Sequence, residues 1–187
     1  MSIATPASAT LDDLLQVDGK AELIGGRIVR FMPSGHAPVR AAFKIAMSLE
    51  LWSQQAGQGF AYTDGIGYAI RPRLASGRES FSPDASYSLQ PVPRQRMRFV
   101  DGAPIFAVEV RSQGDYGSAA EREMAAKRAD YFEAGTAVVW DVDPESRQIR
   151  VYRADDPAQP VEFGLGSIAD AEPAVPGWRL AVDDVFA

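Results

Sequence analysis

The longest amphipathic stretch runs from His36 to Gln55, where Val39, Phe43, Met47 and Leu51 recur every fourth residue and predict the apolar face of a long helix. Gly57 is placed to stop it. Ahead of it, "AELIGGRIVRFM" alternates apolar and polar positions on either side of Gly25-Gly26 and predicts a hairpin, because both turn positions accept positive φ. Thr10 precedes "LDDLL", with Asp13 three residues on, the pattern of a capping box opening a short helix. "GFAYTD" and "IGYAI" are short strand candidates, and after a Pro-, Arg- and Gly-rich interruption another strand opens at Asp84.

"APIFAVEVRS" is the strongest strand pattern in the chain. Ser118 with Glu121 predicts a second capping box, and the helix it opens runs to Ala134 before Gly135. Steps of three and four along that helix align Ala120, Met124, Lys127, Tyr131 and Ala134 on one inward stripe. "AVVWDV", a turn at "DPES" and "RQIRVYR" predict an antiparallel pair, and "WRLAVDDVF" a last strand or turn and a helical turn. Together these elements predict a mixed α/β (α+β) fold, with an N-terminal hairpin and a central mixed β-sheet flanked by helices.

A chain of 187 residues, 46% of them hydrophobic, supports one domain, expected over residues 10–187 after a disordered segment at 1–9. No stretch approaches the roughly twenty apolar residues of a membrane span, and "MSIATPASAT" lacks the regions of a secretion signal, so the expected location is cytoplasmic. The absence of cysteine excludes disulfides, thiolate nucleophiles and thiolate zinc sites, leaving oxygen ligands for any metal. His36, the sole histidine, reads as a helix-start residue rather than a ligand. A net charge of −6 argues against a protein that coats nucleic acid, although Arg71, Arg73, Arg78, Arg94, Arg96 and Arg98 are either a local basic patch or solvated loop residues. No glycine-rich phosphate loop is present.

Two acids then stand out. In the "FAVEV" strand, alternation sets Ile105, Ala107, Glu109 and Arg111 on one face and Phe106, Val108 and Val110 on the other. Glu109 is either an edge glutamate paired with Arg111 or a buried carboxylate that needs a cation. Asp84, held extended after Pro83, is a turn aspartate or the second member of a pair. Lys127 occupies a core position, from which it either snorkels outward or lies between the carboxylates. Glu22, on the hairpin face opposite Leu23, is expected to be exposed, as an ordinary hairpin residue or a fourth polar member.

Pro83-Asp84, Glu109 in "VEV" and Lys127 in the following helix resemble the Uma-type family of restriction-endonuclease-like proteins in the PD-(D/E)XK nuclease superfamily. So do "AELIGGRIV", "PSGHAPV", "KRADYFEAGTAVVWDVDPESRQIRVYR" and "PGWRLAVDDVF", and the likeness spans residues 10 to 187. The resemblance implies a restriction-endonuclease-like core and a metal-dependent endonuclease acting on DNA. It implies Mg²⁺ or Mn²⁺ on Asp84, Glu109 and the carbonyl of Val110, with Lys127 as the catalytic lysine; Glu22 stands beside them as the candidate fourth polar member. Arg111 holds the position where the wider superfamily has its lysine; it would contact a phosphate but not act as a base. Cutting both strands needs two sites, so a homodimer is expected. The competing reading keeps the fold without catalysis, as a module binding nucleic acid or protein partners.

Overall fold

Alternation along the central strands sorts the core into two layers, and the computed structural model, which describes residues 8–187, shows what covers each. Helix α1 (Leu11–Leu14), strands β1 (Ala21–Ile24) and β2 (Arg27–Arg30) and helix α2 (His36–Ala56) come first. Strands β3 (Phe60–Thr63), β4 (Tyr68–Ala69), β5 (Ser80–Phe81), β6 (Ala85–Ser88), β7 (Val100–Asp101) and β8 (Phe106–Val110) follow. Helix α3 (Ser118–Glu133) leads to β9 (Val138–Asp143), β10 (Gln148–Arg153) and β11 (Asp156–Phe163). The chain ends with β12 (Ile168–Asp170), β13 (Arg179–Ala181) and α4 (Val182–Phe186).

Six strands form the central sheet in the order β11-β10-β9-β8-β6-β3. Its one parallel pair is β8 with β9, joined by α3 as the crossover, and the remaining neighbours are antiparallel. Phe106, Val108 and Val110, with Val138, Trp140 and Val142, point to one face, where α2 and the C-terminal segment cover them. Ala107 and Val139 point to the other, against Tyr131 of α3 and the small sheet β5-β4-β7. The mixed sheet flanked by helices, expected from the sequence, is the observed architecture. Among the described residues no helix is long and apolar enough to cross a membrane.

The local signals at the start of the chain are met. Thr10 Oγ1 accepts the Asp13 N–H at 3.2 Å and Asp13 Oδ2 accepts the Thr10 N–H at 2.8 Å, a reciprocal capping box. Gly25 and Gly26 turn the hairpin with φ of +57° and +72°. Most of the segment expected to be disordered lies outside the described residues, but Ala9 already donates its N–H to the Gly26 carbonyl at 2.9 Å.

Three expectations are corrected. Helix α2 ends at Gly57 as predicted, in the left-handed conformation, but the face it buries is Ala41, Ala42, Ile45, Ala46, Leu49 and Ser53. Val39, Phe43, Met47 and Leu51 are about half exposed, at 45–55%. Alanines let the helix sit close over Phe106 and Trp140, so the bulkier stripe turns outward. The Ser118–Glu121 capping box does not form: Gly117 is the N-cap, and Glu121 is drawn to Arg111 instead. Strand β11 was not predicted because it contains Pro157 and Pro160, which an edge strand tolerates.

Gly59 shows how tightly the edge strand is seated. Its φ is +68°, and a Cβ there would lie 2.1 Å from Tyr87 Oη, whose hydroxyl donates to the Gln58 carbonyl at 2.7 Å. Gly59→Ala is expected to cost about 2 kcal/mol or more, from left-handed strain and a displaced Tyr87. The midpoint of urea unfolding reads this directly, and an unchanged midpoint contradicts it.

Candidate active site

Glu109 is the fourth of the five residues of β8, on the face that alternation assigns to α3 and one-fifth exposed among apolar neighbours. Two α3 side chains meet it. Tyr131, fully buried, donates its hydroxyl to Glu109 Oε1 at 2.6 Å, and Lys127 Nζ donates to the carboxylate at 2.9 Å. Lys127 and Tyr131 lie four residues apart on the predicted stripe, so one helical turn supplies both. Burial pushes the Glu109 carboxyl above its ordinary range, and the Lys127 ammonium only partly offsets this.

Asp84 stands just before β6 and brackets Glu109 across the strand pair. Its N–H donates to the Val108 carbonyl at 3.0 Å, and its Oδ2 accepts the Val110 N–H at 2.7 Å. The other oxygen, Oδ1, is held by Lys20 Nζ at 2.5 Å, and the same ammonium contacts Asp64 at 2.8 Å. Lys20 immediately precedes β1.

Glu22 is the fourth member and is not exposed: it is completely buried, which corrects the expectation from hairpin alternation. The hairpin packs across β5, so both faces of β1 are covered at Glu22 and Leu23. Glu22 Oε1 accepts the Ser82 N–H at 2.9 Å and lies 3.1 Å from Lys127 Nζ, while Oε2 pairs with Arg78. Arg78 in turn donates to Asp130 at 2.7 Å. Burial raises the Glu22 carboxyl, but Lys127 and Arg78 more than offset it and hold it below the ordinary value. Burial also lowers Lys127, yet Glu109 and Glu22 raise it above the usual lysine value, so it stays an ammonium.

The structure thus brings Asp84, Glu109, Lys127 and Glu22 into one charged cluster, and adds Lys20, Asp64, Tyr131 and Arg78. Lys20 had a readable signal, since it lies two residues from Glu22 and so on the same side of an extended chain. Arg78 was read as part of a basic patch, but it is buried and committed to Glu22 and Asp130. Arg71 pairs with Asp101 and Arg98 with Asp12, leaving Arg73, Arg94 and Arg96 of that group exposed outside these pairs. Arg111 is not free to meet a phosphate: it is 4% exposed, grips Asp141 through two nitrogens at 2.8 and 2.7 Å, and pairs with Glu121. His36 opens α2 and is exposed.

The donors available to a metal are hard oxygens. Among the described residues no three or more His, Asp or Glu side chains form a ligand cage, and the paired carboxylates at the solvent edge are those of Asp84 and Glu109. Mg²⁺ asks for no more, since it keeps several waters and takes one or two carboxylates plus phosphate oxygens. Asp84 and Glu109 sit beside one another at the solvent edge, each about one-fifth exposed, and suit that coordination.

The family model described as "Uma2: Putative restriction endonuclease" matches residues 9–183. No curated protein matches the chain. Among solved structures, the chain is similar to "a putative nuclease belonging to DUF820" from Anabaena variabilis, with a TM-score of 0.72 and 18% identity. That alignment covers 95% of this chain and 97% of the other.

Proposed function

The chain belongs to the Uma2 family, and from that membership we propose that it is a metal-dependent endonuclease hydrolysing phosphodiester bonds in DNA. The observation that carries this reading is the clustering of Asp84, just before β6, beside Glu109 of β8, with Lys20 on the Asp84 carboxylate and Lys127 of α3 on the Glu109 carboxylate. Asp84, Glu109 and the Val110 carbonyl would hold Mg²⁺ or Mn²⁺. Such an ion, when bound, polarises the phosphate and makes a water a better nucleophile at neutral pH.

The chain's own groups supply the rest. Tyr131 holds one oxygen of Glu109 and the Val110 N–H one oxygen of Asp84, which fixes the orientation of the two carboxylates. Lys127 keeps its proton and stabilises negative charge growing on the phosphoryl oxygens. Glu22 holds Lys127 from behind and sets the direction of its ammonium. The exposed Arg73, Arg94 and Arg96 would contact the sugar-phosphate backbone, a positioning role without sequence readout. A homodimer would bring the two sites that a double-strand cut requires.

Supercoiled plasmid incubated with Mg²⁺ or Mn²⁺ is expected to be nicked and linearised, and to stay intact in chelator. Asp84→Ala is expected to abolish the cleavage, and cutting that survives this change removes the assignment. One observation favours a second reading, a nuclease-fold module without catalysis: every carboxylate of the cluster already has a cationic partner, Lys20 for Asp84, Lys127 for Glu109 and Arg78 for Glu22. Such a module gains no thermal stability from Mn²⁺, whereas an ion-binding site does.

A further inference from the structure

Among the cations of the cluster, Lys20 has the least structural reason to be where it is. Arg78 ties two buried carboxylates and the Ser80 carbonyl together, and Lys127 bridges two acids behind the site. Lys20 instead lies on the solvent side, 19% exposed, against the one Asp84 oxygen that the Val110 N–H leaves free. That oxygen is the one a divalent ion shared with Glu109 would use. The Lys20 ammonium is near enough to Glu109 to lower its carboxyl pKa as well, so its charge acts on both proposed ligands.

We propose that Lys20 is a built-in counter-cation of the ligand pair, occupying the position a divalent ion would take and swinging onto Asp64 to release it. The proposal rests on the reading of Asp84 and Glu109 as metal ligands. Asp64 makes the exchange feasible: it is 57% exposed, already touches Lys20 Nζ at 2.8 Å, and its Oδ1 is pinned by the Gly65 N–H at 2.9 Å. Lys20 therefore has a fixed carboxylate to keep when it gives up Asp84. In its Asp84-bound position it relieves the repulsion between Asp84 and Glu109. Because one ammonium and one divalent ion compete for the same lone pairs, each must weaken the other's hold.

The exchange makes the affinity for metal depend on residues that are not ligands. Lys20→Met removes the competitor, and the loss of a charge-assisted hydrogen bond that must otherwise be broken is expected to tighten Mn²⁺ binding about tenfold or more. Asp64→Asn removes the retreat position and is expected to weaken binding several-fold. Isothermal titration of the full chain with Mn²⁺ reads both, with Asp84→Asn as the control that should eliminate binding. Equal or weaker binding by Lys20→Met, while the wild type binds and Asp84→Asn does not, overturns the role of Lys20 and leaves the metal site standing. No Mn²⁺ binding by either the wild type or Lys20→Met overturns both together.

A second measurement uses the unaltered chain, should Lys20→Met fold poorly. Acetylation of Lys20 by acetic anhydride, followed by mass spectrometry, is expected to speed up on adding Mn²⁺ as the ammonium leaves Asp84. A Lys20 rate that is unchanged or slower, with the half-buried Lys44 of α2, outside the cluster, as the reference, contradicts the exchange.

Discussion

Arg78→Met is expected to lower the unfolding free energy by about 3–5 kcal/mol, the cost of leaving buried charges without their partner. The guanidinium is 8% exposed and joins Glu22, 1% exposed, to Asp130, 10% exposed. It also stacks over Phe81 at 5.0 Å, so the change removes packing as well as charge. Methionine fills the space but cannot donate, and Glu22 then keeps only Lys127 and the Ser82 N–H. Arg78→Lys is not expected to rescue the loss, because one ammonium cannot span both acids as a planar fork does.

Acidity modulates this cost with a definite sign. Glu22 has its folded pKa depressed, so its contribution is present above the ordinary carboxylate value and is lost as pH falls through the depressed one. The difference between wild type and Arg78→Met should therefore be full at neutral pH and shrink on acidification through that range. Glu109 acts oppositely: its raised pKa means that its protonated form is favoured by folding, a contribution lost as pH rises through the raised value. Urea unfolding followed by circular dichroism across pH measures the difference, and a loss below 1 kcal/mol at neutral pH would falsify the assignment of Arg78 as the keystone of the cluster.

The contrast between Arg78 and Glu109 also shows what was readable before the structure. Glu109 announced itself because a carboxylate interrupts an otherwise apolar alternation, and Lys127 because it interrupts an apolar helical stripe. Both signals are local, and periodicity carries them. Arg78 has no such signal, and alternation places Lys20 only on the side of Glu22 without naming its partner; their acidic partners lie 56 and 64 residues away, and only the packing of the hairpin beside β5 and β6 joins them. Arg78 was therefore grouped with loop arginines that share its charge and nothing of its burial.

The same limit misdirected α2. Bulk hydrophobicity selected Val39, Phe43, Met47 and Leu51, but the sheet selected the alanine face, because the space over Phe106 and Trp140 admits a close helix and not a wide one. Sheet order was legible only in part for a related reason. The β9–β10 hairpin follows from a short turn, whereas the pairing of β6 with β8 and of β8 with β9 depends on long connections whose closure the strand patterns do not encode. Asp84 and Glu109 meet through the first of these non-local pairings, so their meeting rested on the family resemblance and not on periodicity.

Lys127→Ala is expected to reduce kcat for DNA cleavage by about 10²–10³-fold, the scale on which a single aimed electrostatic donor contributes. The role is electrostatic because the pKa of Lys127 is raised: burial lowers it, but Glu109 and Glu22 raise it further, leaving no free amine to take a proton at neutral pH. Its removal also withdraws the ammonium that lowers the Glu109 pKa, which burial has already pushed up. Glu109 must be ionised to serve as a ligand, so the acid limb of the residual activity should move to higher pH. Lys127→Arg keeps the charge and should keep that limb nearer its original position. Rates measured across pH on a duplex oligonucleotide separate the two effects. Wild-type kcat in Lys127→Ala, or an acid limb moved to lower pH, would exclude Lys127 as the cation that serves both the phosphate and Glu109.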